Sequence, residues 1–226
     1  MVVTHSEGDR VSEVQIGIYT HRWSHLQVRA VEAIARHTKT EQYSILVTQS
    51  AGTCHENMNR LWRRFSAPYV VLMDEDVVVL QDNWLKGLIG ALEADGELGV
   101  VGCSEDKRPP TAVREPESIK LSYRTWIPAY VMAFKRERVP FLCFDEAIPG
   151  RMGMTDVDAC LQLLDHGLRV GTIPEIVVYH PNRDDDASRL EEARPRVGEQ
   201  RAWYPEQVAY MRAKWGDLFA RTLGAL

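Results

Sequence analysis

The first hundred residues alternate between short apolar runs and longer stretches with one apolar face. Four runs have the length and composition of strands buried on both sides: Val14–Tyr19, Tyr43–Val47, Val70–Met73 and Gly99–Cys103. Apolar residues at helical spacing predict three helices between these runs: residues 24–37, residues 57–65, and a helix capped by Asp82 or Asn83. Ser24 and Gln27 fit a capping box at the first of them. This alternation predicts an α/β fold with a mostly parallel sheet flanked by helices.

The pattern becomes less regular after the fourth run. Residues 104–118 are rich in charge and proline, which predicts a long exposed loop. A strand is predicted at Tyr130–Phe134, and a helix at Asp156–His166 that ends at Gly167. Two further short strands are predicted at Arg169–Ile173 and Ile176–Tyr179.

The C-terminal part differs in composition from the rest. Residues 183–201 are strongly polar and contain the run Asp184–Asp186, which is typical of a solvated loop. One helical face beyond it collects apolar side chains: Val208, Met211, Trp215, Leu218, Phe219 and Leu223. We predict a main domain over residues 1–182 and, over residues 183–226, a polar loop and an amphipathic helix packed on that domain. A helix lying on a membrane surface is the alternative, but its polar face is not strongly basic.

Composition excludes some functions. The 226 residues carry a formal charge of −5, which argues against broad binding to nucleic-acid phosphates. The four cysteines form no C-x-x-C pair, so we expect free thiols, a reducing compartment and a cytoplasmic location. No segment approaches the roughly 20 apolar residues of a membrane span, although peripheral membrane association remains compatible with the sequence.

Three acids, Asp74, Glu75 and Asp76, directly follow the apolar run that ends at Met73. Acids after a buried strand are costly unless water, a cation or hydrogen bonds satisfy them. The crevice beyond the strand ends of an open α/β sheet is where ligands bind, and the two aspartates can share a Mg²⁺ or Mn²⁺ ion that holds a diphosphate. The alternative is a solvated strand end with a helix-capping acid.

A second group of polar residues lies further along the chain. Asp156 and Asp158 are two positions apart, so on a helix one can point into a cleft while the other caps the helix or faces water. An ionised carboxylate at a helix start can act as a general base, although Thr155 or Asp156 can equally be an N-cap. His180 follows an apolar strand, and together with a distant Asp-x-Asp it becomes a candidate third metal ligand.

The order of these features resembles the family 2-like glycosyltransferases of the GT-A fold over roughly residues 14–216. The matching segments are Pro-Tyr-Val-Val-Leu-Met-Asp-Glu-Asp at 68–76, Phe-Asp-Glu at 144–146, Thr-Asp-Val-Asp-Ala-Cys-Leu-Gln-Leu at 155–163, Val-Val-Tyr-His at 177–180 and Lys-Trp-Gly at 214–216. Each segment is weak alone, and their order and spacing make the match.

The resemblance implies roles for individual residues. Asp74 and Asp76 would form the Asp-x-Asp metal site, His180 would complete it, and Asp156 would deprotonate the acceptor hydroxyl as in inverting members. The donor nucleotide would contact residues at the ends of the first strands and around the acidic motif: Tyr19, Thr20, Arg22, Gln49, Asn59, Asp74 and Glu75.

Two departures from the family pattern stand out. The family often carries an aspartate after the second strand, where this chain has Val47-Thr-Gln-Ser50, so an amide or hydroxyl must take that role and the base identity stays open. The family's Glu-Asp motif is Thr155-Asp156 here, so its first acid is missing. This absence affects the expected contact with the acceptor more than the assignment of Asp156 as the general base.

The resemblance implies a Mn²⁺- or Mg²⁺-dependent enzyme that moves a sugar from a nucleoside-diphosphate sugar to an acceptor hydroxyl. A UDP-sugar is the first expectation, with GDP- or dTDP-sugars as alternatives, and the acceptor would be a glycan, a lipid-linked glycan or a small molecule. Two other functions stay open. A nucleotidyltransferase would be expected to carry a Gly-rich basic loop after the first strand, which Tyr19-Thr-His-Arg-Trp23 lacks. The second alternative is a non-catalytic module that binds a nucleotide sugar.

Overall fold

The computed structural model describes residues 2–5, 13–20, 25–39, 41–49, 51–106, 116, 118–180 and 202–223. These residues form nine strands: β1 Val2–His5, β2 Val14–Thr20, β3 Tyr43–Gln49, β4 Tyr69–Asp74, β5 Val78–Val79, β6 Leu98–Asp106, β7 Ser122–Arg124, β8 Val131–Lys135 and β9 Arg169–Tyr179. Their α-helices are α1 His25–His37, α2 Cys54–Arg64, α3 Trp84–Ala94, α4 Thr155–Asp165, α5 over residues 202–215 and α6 Asp217–Leu223.

The strands form one nine-stranded sheet in the order β1-β3-β2-β4-β8-β6-β9-β5, with β7 paired to β9. In its centre β3, β2, β4, β6 and β9 run in the same direction, and β8 runs opposite between β4 and β6. The predicted α/β fold with a mostly parallel central sheet is therefore confirmed. Because parallel strands end at the same edge, the ends of β2, β3, β4, β6 and β9 all lie along one side of the sheet.

Each face of the sheet is covered by two helices. The apolar sides of α1 and α3 pack on one face, with Ile34 and Trp84 buried there. The apolar sides of α2 and α4 pack on the other, with Leu61 and Leu163 buried. Gly17 lets α2 approach β2, because a Cβ at this position would lie 2.5 Å from the ring of Phe65.

The starts of α2 and α3 differ in how they are capped. α2 was expected to begin at Asn57 but begins at Cys54, because Thr53 and Glu56 form a capping box in which each side chain binds the other's backbone N–H. The predicted cap of α1 at Ser24 lies outside the described residues. At α3, Asn83 occupies the N-cap position, but its side chain makes no capping hydrogen bond to the first turn, whereas Asp82 pairs with His37 and Lys39.

The strands at the far end of the sheet are longer than predicted. β9 is one strand where two were expected, and the expected break around Pro174 is a register shift against β6, between the pairs Cys103–Ile173 and Ser104–Val177. β6 continues through Asp106, into a stretch predicted as loop. Most of the remaining predicted loop lies outside the described residues.

The C-terminal helices pack on the domain through a third apolar cluster. Met211 of α5 and Phe219 of α6 are fully buried against the loop and helix that hold Ile148 and Leu161. One helix was expected, but Gly216 adopts a left-handed φ of 52° and separates α5 from α6. The predicted domain boundary at residue 182 and the run Asp184–Asp186 lie outside the described residues.

The described part of the chain contains no helix of sufficient length and apolar character to cross a membrane. All four cysteines are free thiols, as the sequence predicts.

Candidate active site

Three potential metal ligands meet at the carboxyl edge of the sheet. Asp74 ends β4, and Asp76 lies in the turn that leads to β5. Because Val78 of β5 pairs with Tyr179 of β9, this turn lies beside His180. One potential ligand atom from each of Asp74, Asp76 and His180 lies within 4.8 Å of the other two, and His180 Nε2 is 3.2 Å from Asp76 Oδ1.

The chemistry of this cluster suits a divalent cation. Asp76 is only 8% exposed, so its carboxylate is largely removed from water. Two carboxylates held together at a buried strand end repel each other, and a cation between them offsets that cost. Carboxylate oxygens with one imidazole nitrogen form a donor set that Mn²⁺ accepts readily.

Glu105, which the sequence analysis did not select, forms part of this cluster. It lies near the end of β6, where its carboxylate oxygen Oε2 is 2.8 Å from His180 Nδ1. The ring of Tyr130 packs against the imidazole, with 5.5 Å between the ring centroids. The sequence signal for Glu105 was weak, because the Ser-Glu-Asp-Lys segment was interpreted as the start of an exposed loop.

The expected donor-binding residues at the end of β2 contact the acidic motif directly. The Tyr19 hydroxyl donates a hydrogen bond to Asp74 Oδ1, and the Thr20 hydroxyl donates one to Glu75 Oε2. Gln27 of α1 donates to the same Glu75 oxygen at 3.0 Å and also to Thr20. Side chains from β2 and α1 therefore hold the acidic motif in a defined conformation.

The other expected donor contacts have different outcomes. Gln49 ends β3 beside Thr20 and is exposed at the same edge of the sheet. Arg22 lies outside the described residues. Asn59 is buried in α2, and its amide group binds the main chain of Phe144 in both directions and donates to Glu146 Oε1 at 2.8 Å. Since its amide is used to hold this loop, we do not include Asn59 in the candidate donor site.

Asp156 lies in the first turn of α4, next to the segment that leads into β8. Its Oδ2 atom accepts a hydrogen bond from the Ala129 N–H at 3.2 Å, and its Oδ1 atom accepts one from the Val157 N–H at 2.9 Å. Tyr130 follows Ala129 in the chain, and its carbonyl oxygen accepts a hydrogen bond from the Asp74 N–H at 3.2 Å. Two consecutive residues therefore connect Asp156 to the candidate metal ligand Asp74.

Burial shifts the pKa of Asp156. Loss of hydration raises the pKa of Asp156 above its ordinary value, and hydrogen bonds from backbone N–H groups offset this only in part. The Cys54 thiol lies nearby at the start of α2, and burial raises its pKa to about 12, so the thiol is neutral at ordinary pH. Met154, in a left-handed conformation with φ of 57°, is the N-cap residue of α4, so neither Thr155 nor Asp156 is the cap.

Asp158 neither caps α4 nor faces water, contrary to the alternatives drawn from the sequence. It is 1% exposed, and its Oδ1 atom accepts hydrogen bonds from Trp215 Nε1 at 2.7 Å and from Lys214 Nζ at 2.8 Å. Lys214 also binds Asp145 at 2.6 Å, so α5 is tied both to α4 and to the loop before it. Asp158 therefore has a structural role, whereas Asp156 is the carboxylate that Ala129 and Tyr130 connect to Asp74.

No protein-family model matches the sequence, and no curated protein matches it either. Solved structures with similar folds do exist. GalNAc-T7 with UDP, GalNAc and Mn²⁺ matches with a TM-score of 0.62 and 11% identity, over 79% of this chain and 45% of that one. The mannosyltransferase PcManGT from Pyrobaculum calidifontis, in complex with GDP-Man and Mn²⁺, matches with a TM-score of 0.58 and 17% identity, over 96% of this chain and 75% of that one. S. aureus TarS 1–349 matches with a TM-score of 0.56 and 9% identity, over 80% of this chain and 64% of that one.

These likenesses show the fold of the chain. Its sheet and helices have the GT-A arrangement found in GalNAc-T7, PcManGT and TarS. The chain spans less than half the length of GalNAc-T7 and three quarters of PcManGT. The fold predicted from the order of the sequence motifs is therefore confirmed.

Proposed function

We propose that this protein is a metal-dependent glycosyltransferase that moves a sugar from a nucleoside-diphosphate sugar to an acceptor hydroxyl. One observation carries the proposal: Asp74, Asp76 and His180 form a possible divalent-metal cluster at the carboxyl edge of a GT-A sheet. Similar folds hold UDP with Mn²⁺ in GalNAc-T7 and GDP-Man with Mn²⁺ in PcManGT, which supports the same ligand classes here.

Three side chains would hold Mn²⁺ or Mg²⁺: Asp74, Asp76 and His180. The bound cation would neutralise the charge that develops on the leaving nucleoside diphosphate. The donor nucleotide would lie along the ends of β2 and β3, where Tyr19 contacts Asp74, Thr20 contacts Glu75, and Gln49 lies beside Thr20. Arg22 belongs to the same proposed donor site by its position in the sequence.

Asp156 is the proposed general base. Its carboxylate is half-buried beside Ala129, and the carbonyl of the following residue accepts the N–H of Asp74. An acceptor placed between Asp156 and Asp74 would therefore contact both the base and the metal site. Since burial raises the pKa of Asp156, its ionised form is a better proton acceptor than an ordinary aspartate. A single base acting on the acceptor hydroxyl supports an inverting reaction.

The nucleotide and the acceptor need direct tests. A UDP-sugar is our first choice of donor, with GDP- and dTDP-sugars next. The donor screen below decides between them, because Val47–Gln49 offers hydroxyl and amide groups but no carboxylate to the base or ribose. A glycan, a lipid-linked glycan or a small molecule is the proposed acceptor class. The cytoplasmic location and the division into residues 1–182 and 183–226 stay predictions.

A donor screen tests the proposal. The full chain is incubated with UDP-, GDP- and dTDP-sugars, with and without Mn²⁺, and release of the nucleoside diphosphate is measured. We expect release from one of these donors that depends on Mn²⁺. Pyrophosphate production from a sugar phosphate and a nucleoside triphosphate would instead identify a nucleotidyltransferase. Donor binding without any turnover, in the presence of a broad acceptor panel, would identify a binding module.

A further inference from the structure

We propose that Glu105 is a positioning residue that orients the metal ligand His180. In this assignment the Glu105 carboxylate accepts the N–H of His180 Nδ1, which leaves the lone pair of Nε2 directed to the metal cluster. The inference rests on the proposed function, because the cluster that His180 completes is the proposed metal site.

The two ring nitrogens of His180 have different partners. Nδ1 lies 2.8 Å from Glu105 Oε2, and Nε2 lies 3.2 Å from Asp76 Oδ1. A neutral imidazole carries one N–H and one lone pair, so a carboxylate beside Nδ1 favours the proton on that nitrogen. Nε2, which faces the aspartates, then becomes the nitrogen that can bind a cation.

The fold holds this pair firmly. Glu105 pairs with Val178 in the β6–β9 register, and the His180 N–H donates to the Asp106 carbonyl at 3.0 Å. The backbone that carries the carboxylate is therefore hydrogen-bonded to the backbone that carries the imidazole. The ring of Tyr130 packs on the imidazole, and its hydroxyl donates to the Cys103 carbonyl at 2.7 Å. Contacts at one nitrogen and at the ring face together define the orientation of the imidazole.

A carboxylate in this position has a physical consequence for metal binding. It makes the imidazole a more basic ligand and adds negative charge close to the cation. Loss of such a partner commonly weakens metal affinity by about 10- to 100-fold. A purely structural role for Glu105, joining β6 to the end of β9, would lower stability and leave the intrinsic metal affinity unchanged.

The experiment compares Glu105→Ala, Glu105→Gln and a matched control in the full chain. Glu97→Gln is the control, because Glu97 pairs with Arg169 at the opposite end of the same two strands. Dissociation constants for Mn²⁺ alone are measured from the free-ion electron paramagnetic resonance signal, without donor. In parallel, ¹⁵N NMR of the metal-free wild type reports which nitrogen of His180 carries the proton, at a pH well above the ordinary imidazole pKa.

We expect an Nδ1–H tautomer in the wild type, and Mn²⁺ binding weakened about 10- to 100-fold in Glu105→Ala. The loss should be smaller in Glu105→Gln, whose amide oxygen can still accept the N–H, and absent in Glu97→Gln. Unchanged affinity in Glu105→Ala, or a proton on Nε2 in the wild type, would overturn the inference. If the wild type itself does not bind Mn²⁺, the proposed function fails, and the NMR measurement still decides whether Glu105 orients His180.

Discussion

Lys214 and Asp158 form an ion pair with 2.8 Å between Nζ and Oδ1, and this pair joins α5 to the first turn of α4. Asp158 is almost completely buried, whereas the Lys214 side chain is 29% exposed. Asp156, the proposed base, lies two residues before Asp158 in the same turn. The C-terminal helices therefore contribute to the position of the proposed base although they lie outside the central sheet.

Replacement of Lys214 by methionine should destabilise the protein. Asp158 would keep its hydrogen bonds from Trp215 and Gln162 but lose its positive partner while remaining buried. We expect the free energy of unfolding to fall by about 2 kcal/mol, measured by urea denaturation. Glu97→Gln breaks an exposed ion pair with Arg169, and its cost should be clearly smaller because water screens this pair. Equal losses of unfolding free energy in the two variants would show that the Lys214–Asp158 pair stabilises the protein no more than an exposed ion pair does.

Asp76→Ala should fold normally and lose nearly all transfer activity. The variant removes one of three potential ligand side chains, and a bound cation contributes several kcal/mol of charge stabilisation to the leaving diphosphate. We expect donor turnover to fall by about 100-fold or more, and Mn²⁺ binding to weaken in parallel. Asp82→Asn, which changes an acid that pairs with His37 and Lys39, serves as the control. Near-wild-type turnover in Asp76→Ala would exclude Asp76 as a ligand.

Local sequence signals predicted those site residues whose positions depend on a single strand or helix. The apolar run Val70–Met73 marks a buried strand, and its end fixes where Asp74 and Asp76 emerge. His180 was selected as a third ligand from imidazole chemistry, and the family resemblance implied that it completes the same site. In the structure its position depends on pairing of β5 with β9, and Val78 and Tyr179 are about a hundred residues apart in sequence. The spacing of apolar residues, every second residue in a strand or every 3.6 residues in a helix, carries no information about which strands pair.

The residues that the sequence missed, or for which it suggested other contacts, all depend on long-range contacts. Glu105 was assigned to a loop because charged residues follow an apolar run, but pairing with β9 extends β6 through Asp106. Asn59 was assigned to the donor, yet the loop around Phe144 occupies its amide. One of Asp156 and Asp158 was expected to cap a helix or face water, whereas Lys214 and Trp215 of α5 bind Asp158 in the structure. By contrast, the earlier start of α2 was visible in the sequence as Thr53-x-x-Glu56.

Asp156→Asn should separate donor binding from transfer. Asparagine has nearly the same shape, and its oxygen still accepts one of the two backbone N–H groups that Asp156 binds, although its NH₂ group faces the other. We therefore expect the helix α4 to form with some loss of stability. The asparagine side chain cannot take a proton from the acceptor, and loss of a general base commonly lowers the rate by about 10²- to 10⁴-fold. We expect donor affinity by calorimetry to stay within about twofold of wild type while transfer falls in that range. A variant with full transfer activity would remove Asp156 from the mechanism.

The pH dependence of stability should carry the signature of Asp156. Its pKa in the folded protein is raised above the ordinary value of 3.8, mainly by burial, so the folded state binds this proton more tightly than the unfolded state does. The stability that protonated Asp156 contributes is therefore fully present below the unfolded pKa and is lost as the pH rises through the folded pKa.

Comparison of wild type with Asp156→Asn isolates this effect, because the other carboxylates titrate in both proteins and their contributions largely cancel. The Cys54 thiol, with its pKa of about 12, stays neutral throughout the acid range. As the pH is raised from about 3.8, we expect the free energy of unfolding of wild type to decline relative to that of Asp156→Asn, and the difference to level off above the folded pKa of Asp156. Transfer by wild type should rise over the same interval, since only the ionised carboxylate can act as the base. A constant stability difference across this interval, measured by urea denaturation at each pH, would contradict a raised pKa. If the stability of wild type instead rises relative to that of Asp156→Asn as the pH increases, the pKa of Asp156 is lowered in the folded protein.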